Sequence, residues 1–330
     1  MDNDFAFRAE PGVFLLKQKL LNLQSKKYKT IGGKNQRLKK SYCLLKVKLL
    51  TLKKKLQIQK KRSFLNLNTL KSLSLVRNCF RRHSIDYINN VFEGFEELHG
   101  DNLKGDDPSI ICGFGLLKGN SVCIIAQEKG RSLKTKINRS FGCPKPSGYR
   151  KALRTMLKAE VLGTPIVTIV DTPGAFPGIE SEENNISGAI SLNIREFFFI
   201  KVPIVTVIIG EGGSGGALGI GISDKIIMLE HSYFSVISPE GCSSILWKNN
   251  TKVEEASKAL KPFSKNIKRF YIADYIVKEV LGSSRISLSN YDFISDRLNH
   301  VIINLKKINC VELLRRRFFK FRTIGKFNVA

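Results

Sequence analysis

The sequence predicts an α/β fold: a mostly parallel sheet with helices on both faces, set between two basic, helix-rich flanks. Three observations predict it. Short apolar runs at 166–170 and 204–209, each broken only by a threonine, alternate with segments of helical periodicity, the pattern of strands buried on both faces. A glycine-rich stretch, Gly210-Glu211-Gly212-Gly213-Ser214-Gly215-Gly216-Ala217-Leu218-Gly219, follows the second run and opens a short helix. Charge divides the 330 residues into three parts. Residues 1–82 carry 22 basic and 3 acidic side chains, 83–250 carry 16 and 18, and 251–330 carry 17 and 7. A near-neutral centre thus lies between flanks of net charge +19 and +10. The expected division is a basic, mostly helical extension over 1–82, a core over 83–250 and a basic helical part over 251–330.

The elements follow in order. Residues 17–62 mix Lys and Leu, which reads as a solvated, partly helical extension or as a surface for an acidic partner. Ile85, Ile88, Phe92, Phe95 and Leu98 form a helical stripe over 85–98. The β-rich runs 110–117 and 122–126 flank Lys118-Gly119-Asn120-Ser121 and predict a hairpin. A helix is expected from Pro146 to Gly163, with Ala152, Leu153, Met156 and Leu157 inward. Then come a strand at 166–170, a helix at 187–200, a strand at 204–209, and the helix opened by the glycines, ending near Ile222. Strands at 225–229 and 234–237 follow, and Ser238-Pro239-Glu240-Gly241 starts a helix through Trp247. The last thirty residues return to a basic helical texture.

Composition excludes several classes. The seven cysteines are scattered and none forms a C-x-x-C pair, so neither a zinc ribbon nor any other metal site is expected in this chain. Such thiols fit a reducing compartment. The longest apolar run, near 197–209, is broken by Lys201 and Pro203, whereas a membrane span needs roughly 20 residues. Met1-Asp2-Asn3-Asp4 has the character of neither a signal peptide nor a transit peptide, and a soluble protein is expected.

At a strand-to-helix junction, free backbone N–H groups converge with the positive end of the helix dipole, so something negative is expected at the glycine-rich turn. Three chemistries compete. Gly210, Gly212 and Gly215 satisfy G-x-G-x-x-G, with Glu230 about 20 residues on, as in dinucleotide binding. Gly212-Gly213-Ser214-Gly215-Gly216 satisfies G-x-S-x-G, with Asp292, Asp296 and His300 downstream, as for a serine nucleophile. The third is an oxyanion hole built from backbone donors alone.

Several blocks in order carry a more specific match. They are Gln127-Glu128-Lys129-Gly130-Arg131, Asn138-Arg139-Ser140-Phe141-Gly142, the segment from Pro146 to Arg154, Asp171-Thr172-Pro173-Gly174-Ala175-Phe176-Pro177-Gly178, the glycine turn, and the segment from Ser235 to Cys242. With these blocks, the region from about Asp86 to Trp247 resembles the α-subunit family of the multi-subunit acetyl-CoA carboxylase carboxyltransferases.

The resemblance implies a crotonase-like core of ββα units in a superhelix, preceded by a helical N-terminal part. It implies transfer of a carboxyl group from carboxybiotin, held on a biotin carboxyl carrier protein, to acetyl-CoA, giving malonyl-CoA. ATP would be used by a separate biotin carboxylase, and no G-x-x-x-x-G-K-[ST] occurs here. A β subunit bearing a zinc ribbon is the implied partner, in an α₂β₂ assembly. On this reading Gly215 and Gly216 are the oxyanion donors facing biotin. Gly212 and Gly213 shape the approach, Gly174 and Gly178 shape a neighbouring loop, and Arg131, Arg150 and Lys151, with Lys134, Lys136 and Arg154, reach toward CoA phosphates.

The sequence departs from the family where an acidic pair followed by Arg-Gly-Gln usually stands. It reads Glu182-Glu183-Asn184-Asn185-Ile186, and Ser147 replaces a usual Glu. The Lys-, Asn- and Ile-rich drift suggests an AT-rich genome, with the plastid stroma as the first expected location and the bacterial cytoplasm as the second. The alternative function is a nucleic-acid or anionic-surface binding protein on a degenerate crotonase-like core, which the basic extension would serve.

Overall fold

The structure is a computed structural model that describes residues 50–51, 69–78, 81–279 and 288–325. The chain forms two compact units, 1–75 and 76–330. Most of the basic extension expected over 1–82 lies outside the described residues, apart from helix α1 (Thr69–Val76) and the few residues after it.

Helix α2 (Ser84–Val91) buries Tyr87, Ile88 and Val91. The helical stripe expected to run on to Leu98 stops there. Phe92 turns extended, Gly94 takes φ +56°, and residues Glu93–Leu98 become strand β1. The reason lies in the next strand, β2 (Ile110–Leu117). A Cβ on Gly113 would stand 2.1 Å from the Glu96 carbonyl and 2.7 Å from the Phe95 ring, so β1 crosses a gap that only glycine leaves. The hairpin from β2 to β3 (Asn120–Gln127) is as expected, with Lys118 and Gly119 both at positive φ, as a tight two-residue hairpin turn requires.

After β3 come α3 (Leu133–Asn138) and α4 (Pro146–Val161), the latter ending before Gly163 at φ +63°. Ala152 and Met156 face inward as expected, but Leu157 is exposed and Lys151 takes a buried position. Strand β4 (Ile166–Thr172), helices α5 (Ile179–Glu183) and α6 (Ile186–Phe199), strand β5 (Ile204–Gly213) and helix α7 (Ser214–Gly221) follow. Then come β6 (Lys225–Leu229), β7 (Tyr233–Ser235) and α8 (Pro239–Trp247), whose N-cap Ser238 accepts from Gly241 N–H. The chain closes with α9 (Val253–Leu260), α10 (Ser264–Arg269), β8 (Tyr275–Val277), α11 (Leu288–Lys306) and α12 (Cys310–Arg322).

The sheet runs β1-β2-β3-β4-β5-β6-β8, antiparallel through β3 and parallel thereafter. β7 leaves this path and pairs with the far end of β5, Glu211 to Gly213 against Tyr233 to Ser235. The glycine turn therefore leaves a strand end held on both sides. Alternation along the strands sends Ile111, Val167, Val205 and Val207 to one face, where α2 and α11 cover them. It sends Ile110, Ile166, Ile204 and Ile208 to the other, beneath α4, α6 and α7.

Residues after 250 join this architecture. β8 extends the sheet, and Arg317 of α12 is fully buried. Its guanidinium bonds both Asp224 carboxylate oxygens at 2.8 Å and the carbonyls of Phe197, Ile200 and Val202. Removing one partner of such a pair leaves an uncompensated buried charge. Arg317→Ala is expected to lower unfolding free energy by about 3–5 kcal/mol, read by urea titration. A loss below about 1 kcal/mol would show that α12 does not hold the core together.

Candidate active site

The glycine turn sits where β5 ends and α7 begins. Four of the eight residues of α7 are glycine, a composition that disfavours a helix by about 1 kcal/mol per glycine relative to alanine. The spacing explains their presence. A Cβ on Gly213 would stand 2.1 Å from the Pro173 carbonyl oxygen, and one on Gly216 would stand 2.4 Å from Ala175 N and 2.5 Å from Gly174 C. The Pro173–Ala175 segment after β4 and the turn after β5 thus touch main chain to main chain. Gly215 differs, since its nearest neighbour at the Cβ position is Ile190 Cγ2 at 3.9 Å, and Gly174 has nothing within 4 Å. Ser214 begins the helix at φ +51°. Its left-handed conformation aims the first turn of α7, whose leading N–H groups have no intrahelical acceptor.

The structure brings Gly213, Gly215, Gly216 and Gly174 together. A Cβ on Gly212 would meet the Phe234 ring on β7, and one on Gly178 would meet the Phe176 ring, so these two shape the flanks rather than the turn itself. The basic residues fare differently. Arg131 is half-exposed and ion-paired with Asp86. Arg150 bonds Asp101 at 2.8 Å and the Asn184 carbonyl at 3.2 Å. Lys151 requires a correction. Its side chain is fully buried and bonds Asp106 and the Asp107 carbonyl, so it has no access to a phosphate. Arg154 is likewise spent on the carbonyls of His99 and Gly100.

The two competing chemistries are not assembled. Asp296 pairs with Lys118 at the hairpin tip and His300 bonds Asn304 within α11, so neither serves Ser214. Glu230 accepts from Glu279 N–H rather than presenting a free carboxylate at the turn.

The departure at 184–186 is conformationally mild. Asn185, where the family pattern has Gly, adopts φ +61° and caps α6 by accepting from Gly188 N–H. Asparagine is among the few non-glycine residues that tolerate this conformation. At 184 the usual guanidinium is gone.

Four features went unread in the sequence. Gln127 Nε2 and Tyr149 OH both donate to the Gly216 carbonyl, at 2.8 and 3.0 Å, and Asn193 Nδ2 donates to the Gly219 carbonyl at 3.0 Å. The fourth is a charge network at the strand ends, buried at Asp171 and Glu211, largely buried at Lys129 and open to solvent at Glu240. Lys129 pairs with Asp171 at 2.9 Å and with Glu211, and Arg77 links Glu211 and Glu240 at 2.7 Å each. Gln127, Lys129 and Tyr149 lay inside the blocks that carried the resemblance, but spacing alone gives no sign of which carbonyl a side chain reaches. Beside the network lies a cavity of about 120 Å³ lined by Arg81, His83, Lys129, Phe141, Asp171 and Glu211.

Burial alone would raise the Glu211 carboxyl, but Lys129 and Arg77 outweigh it and hold the group at about 2, below the ordinary value of 4.5. The stabilisation is complete above pH 4.5 and is lost as pH falls from there toward 2. Glu211→Gln is expected to flatten the acid limb of the stability profile in that window, by on the order of 3 kcal/mol at full protonation. Urea midpoints measured from pH 6 down to pH 3 check this, and parallel profiles would refute it. The glycines give a second test. Gly216→Ala is expected to cost about 1–3 kcal/mol by overpacking, whereas Gly215→Ala stays within about 0.5 kcal/mol. Thermal melts of the two variants decide it, and equal losses would refute the main-chain contact.

Among the described residues no group of three or more His, Cys, Asp or Glu side chains is arranged to hold a metal ion, and no helix is long and apolar enough to cross a membrane. Residues 16–325 match the family model described as acetyl co-enzyme A carboxylase carboxyltransferase-like. The acetyl-coenzyme A carboxylase carboxyl transferase subunit alpha of Geobacter metallireducens is 40% identical over 331 residues, covering 99% of each chain. That of Geobacter sulfurreducens is 44% identical over 80% of this chain and 83% of its own. A Clostridium tetani protein named subunits beta/alpha is 45% identical over 79% of this chain and 47% of its own.

Among solved structures, transcarboxylase 12S (16% identity, TM-score 0.53) covers 74% of this chain and 42% of its own. The beta subunit of P. aeruginosa geranyl-CoA carboxylase (16%, 0.53) covers 80% and 48%. These two share the fold alone, and it is the expected crotonase-like one. The relatives named here are bacterial, which fits the second of the two expected locations and not the first. The binding-protein alternative is left without support. From its sequence along nearly its whole length, the chain belongs to the α-subunit family of acetyl-CoA carboxylase carboxyltransferases.

Proposed function

We propose that this chain, with a β subunit, transfers the carboxyl group of carboxybiotin to acetyl-CoA and so forms malonyl-CoA for fatty-acid synthesis. One observation carries the proposal: a strand-to-helix turn whose glycines press on a neighbouring loop at 213 and 216 and stay open at 215. Such a turn offers rigid N–H donors with no side chain in front of them.

On this reading the Gly215 and Gly216 N–H groups stabilise the negative charge that develops on the ureido oxygen as biotin gives up its carboxyl group. The donors are fixed before the charge appears, which is where their advantage over water lies. Gly212 and Gly213 shape the approach, and Gly174 keeps the facing loop clear. Gly178 starts α5 below that loop. No side chain of the turn has to act as nucleophile or base. Arg131 and Arg150 remain candidates for the CoA phosphates, across an interface with the β subunit.

The acetyl-CoA half of the site belongs on that reading to the zinc-ribbon β subunit, in an α₂β₂ assembly. Biotin arrives on its carrier protein, and a biotin carboxylase uses the ATP. The Clostridium tetani protein named for both subunits supports their working side by side. The bacterial cytoplasm is the proposed location. The extension over 1–82, the core over 83–250 and the basic part over 251–330 stand as a functional division in the same proposal.

The experiment is co-expression with a β subunit from the same genome, followed by the reverse reaction with malonyl-CoA and biocytin. Acetyl-CoA release is expected with both subunits together and with neither alone. Gly215→Val is the site variant of choice, because a Cβ there meets only the Ile190 side chain at 3.9 Å and no main chain. It is expected to assemble normally and lose at least about 100-fold in kcat. An inactive but well-formed wild-type complex would overturn the function, and a fully active Gly215→Val complex would overturn the oxyanion assignment.

A further inference from the structure

Helix α7 is built against its own propensity, and three buried polar side chains from three separate elements reach its main chain. Gln127 from β3 and Tyr149 from α4 both donate to one carbonyl, that of Gly216. Asn193 from α6 reaches the next turn at Gly219 and also donates to the Tyr149 carbonyl. All three are at most 1% exposed. The Tyr149 ring packs beneath Gly219, where a Cβ would stand 2.5 Å from it.

Stability alone does not account for the choice of amides at two of these positions. Gln127 Oε1 and Asn193 Oδ1 are both buried without a hydrogen-bond partner. A buried unsatisfied acceptor destabilises the fold, and an apolar residue of similar shape would avoid the cost. The amides turn their donors to α7 and leave their acceptors unpaired. What they secure is the geometry of a glycine pair that would otherwise be the most mobile backbone in the turn.

We infer that Gln127 and Tyr149 are positioning residues for carboxyl transfer: by holding the Gly216 carbonyl they fix the plane and direction of the main chain at the turn. The inference rests on the oxyanion reading of Gly215 and Gly216. The Gly216 Cα is pressed against Gly174 and Ala175 on one side, and its carbonyl is gripped on the other. Neither clamping side chain touches substrate. Their effect is to keep the N–H donors aimed before charge develops, so that loosening them costs transition-state stabilisation and not ground-state binding.

The experiment uses the co-expressed α–β complex and the malonyl-CoA plus biocytin assay. Tyr149→Phe deletes one hydroxyl and leaves the ring under Gly219. A kcat loss of about tenfold is expected, with both KM values unchanged and the complex intact by gel filtration. Gln127→Met removes the other donor at similar volume and is expected to give the same split, so that the inference survives if either variant alone fails to fold. Tyr291→Phe is the control, since its hydroxyl is buried without a partner on the opposite face of the sheet and its loss is expected to leave kcat unchanged.

Hydrogen exchange of the 210–221 peptide supplies a readout apart from activity, and faster exchange is expected in Tyr149→Phe and Gln127→Met but not in Tyr291→Phe. Full kcat in both variants would overturn the inference while leaving the oxyanion reading standing. So would a kcat loss shared by Tyr291→Phe. A wild-type complex without activity would instead remove the reading on which the inference rests.

Discussion

The close approach of two backbones, the end of β5 against the loop after β4, constrains the rest of the molecule around it. Main chains come within side-chain distance of one another only where glycine leaves the room, so Gly213 and Gly216 are demanded by the contact and not by the helix. Yet the same glycines weaken α7, whose composition alone would leave it frayed. The surroundings supply what the helix lacks. Tyr149 and Gln127 grip its first turn, Asn193 its second, and Ala217 and Ile220 seat it in the core beneath β4 and β5. A helix of poor intrinsic stability in a rigid cradle combines free donors with fixed direction, which a stable, alanine-rich helix would not allow at this distance.

The opposite face of the same strand ends is organised by charge. Asp171 and Glu211 are both buried, and Asp171 also accepts from the Glu211 backbone N–H at 2.9 Å. Two such carboxylates side by side would repel, and Lys129 between them removes the repulsion. Asp171 lies two residues before the loop that meets the glycine turn, and Glu211 lies two residues before Gly213. The network therefore fixes the roots of both backbones whose tips form the site. Acid attacks this arrangement from the Glu211 side, because a protonated carboxyl there leaves Lys129 and Arg77 incompletely matched.

How far the sequence revealed all this follows from the range of each interaction. The alternating strands and helices from Ile166 to Trp247 were legible because burial on both faces prints an apolar run. The tight turn at Lys118-Gly119 and the Ser238 cap were legible because they are local chemistry. Strand β1 was not, since Phe92, Phe95 and Leu98 keep a helical spacing and only the distant gap at Gly113 turns the chain extended. Lys151 looked like a solvent-facing cation on an amphipathic helix, and nothing within four residues announces Asp106 and the Asp107 carbonyl as its partners. Arg317 misled in the same way, reading as part of a basic surface until Asp224, far off in the chain, claims it. The glycine turn was located from its pattern, but not the unequal crowding of its members. A side chain at Gly216 would strike the Ala175 backbone and confound folding with chemistry, whereas one at Gly215 meets no main chain.

That inequality also bears on where a chain 40% identical to a relative can differ without disturbing the turn. Chemistry carried by backbone donors places its demands on shape rather than on side-chain identity. At Asn185 the demand is a left-handed residue, and asparagine meets it where the family pattern has glycine. At Asn184 the side chain has changed outright, but Arg150 bonds the carbonyl there, a contact indifferent to what the side chain is. At Gly213 and Gly216 no substitute exists, because any Cβ would overlap main-chain atoms that cannot swing aside. Drift is therefore expected to be permissive around the loop at 182–186 and strict at the two crowded glycines.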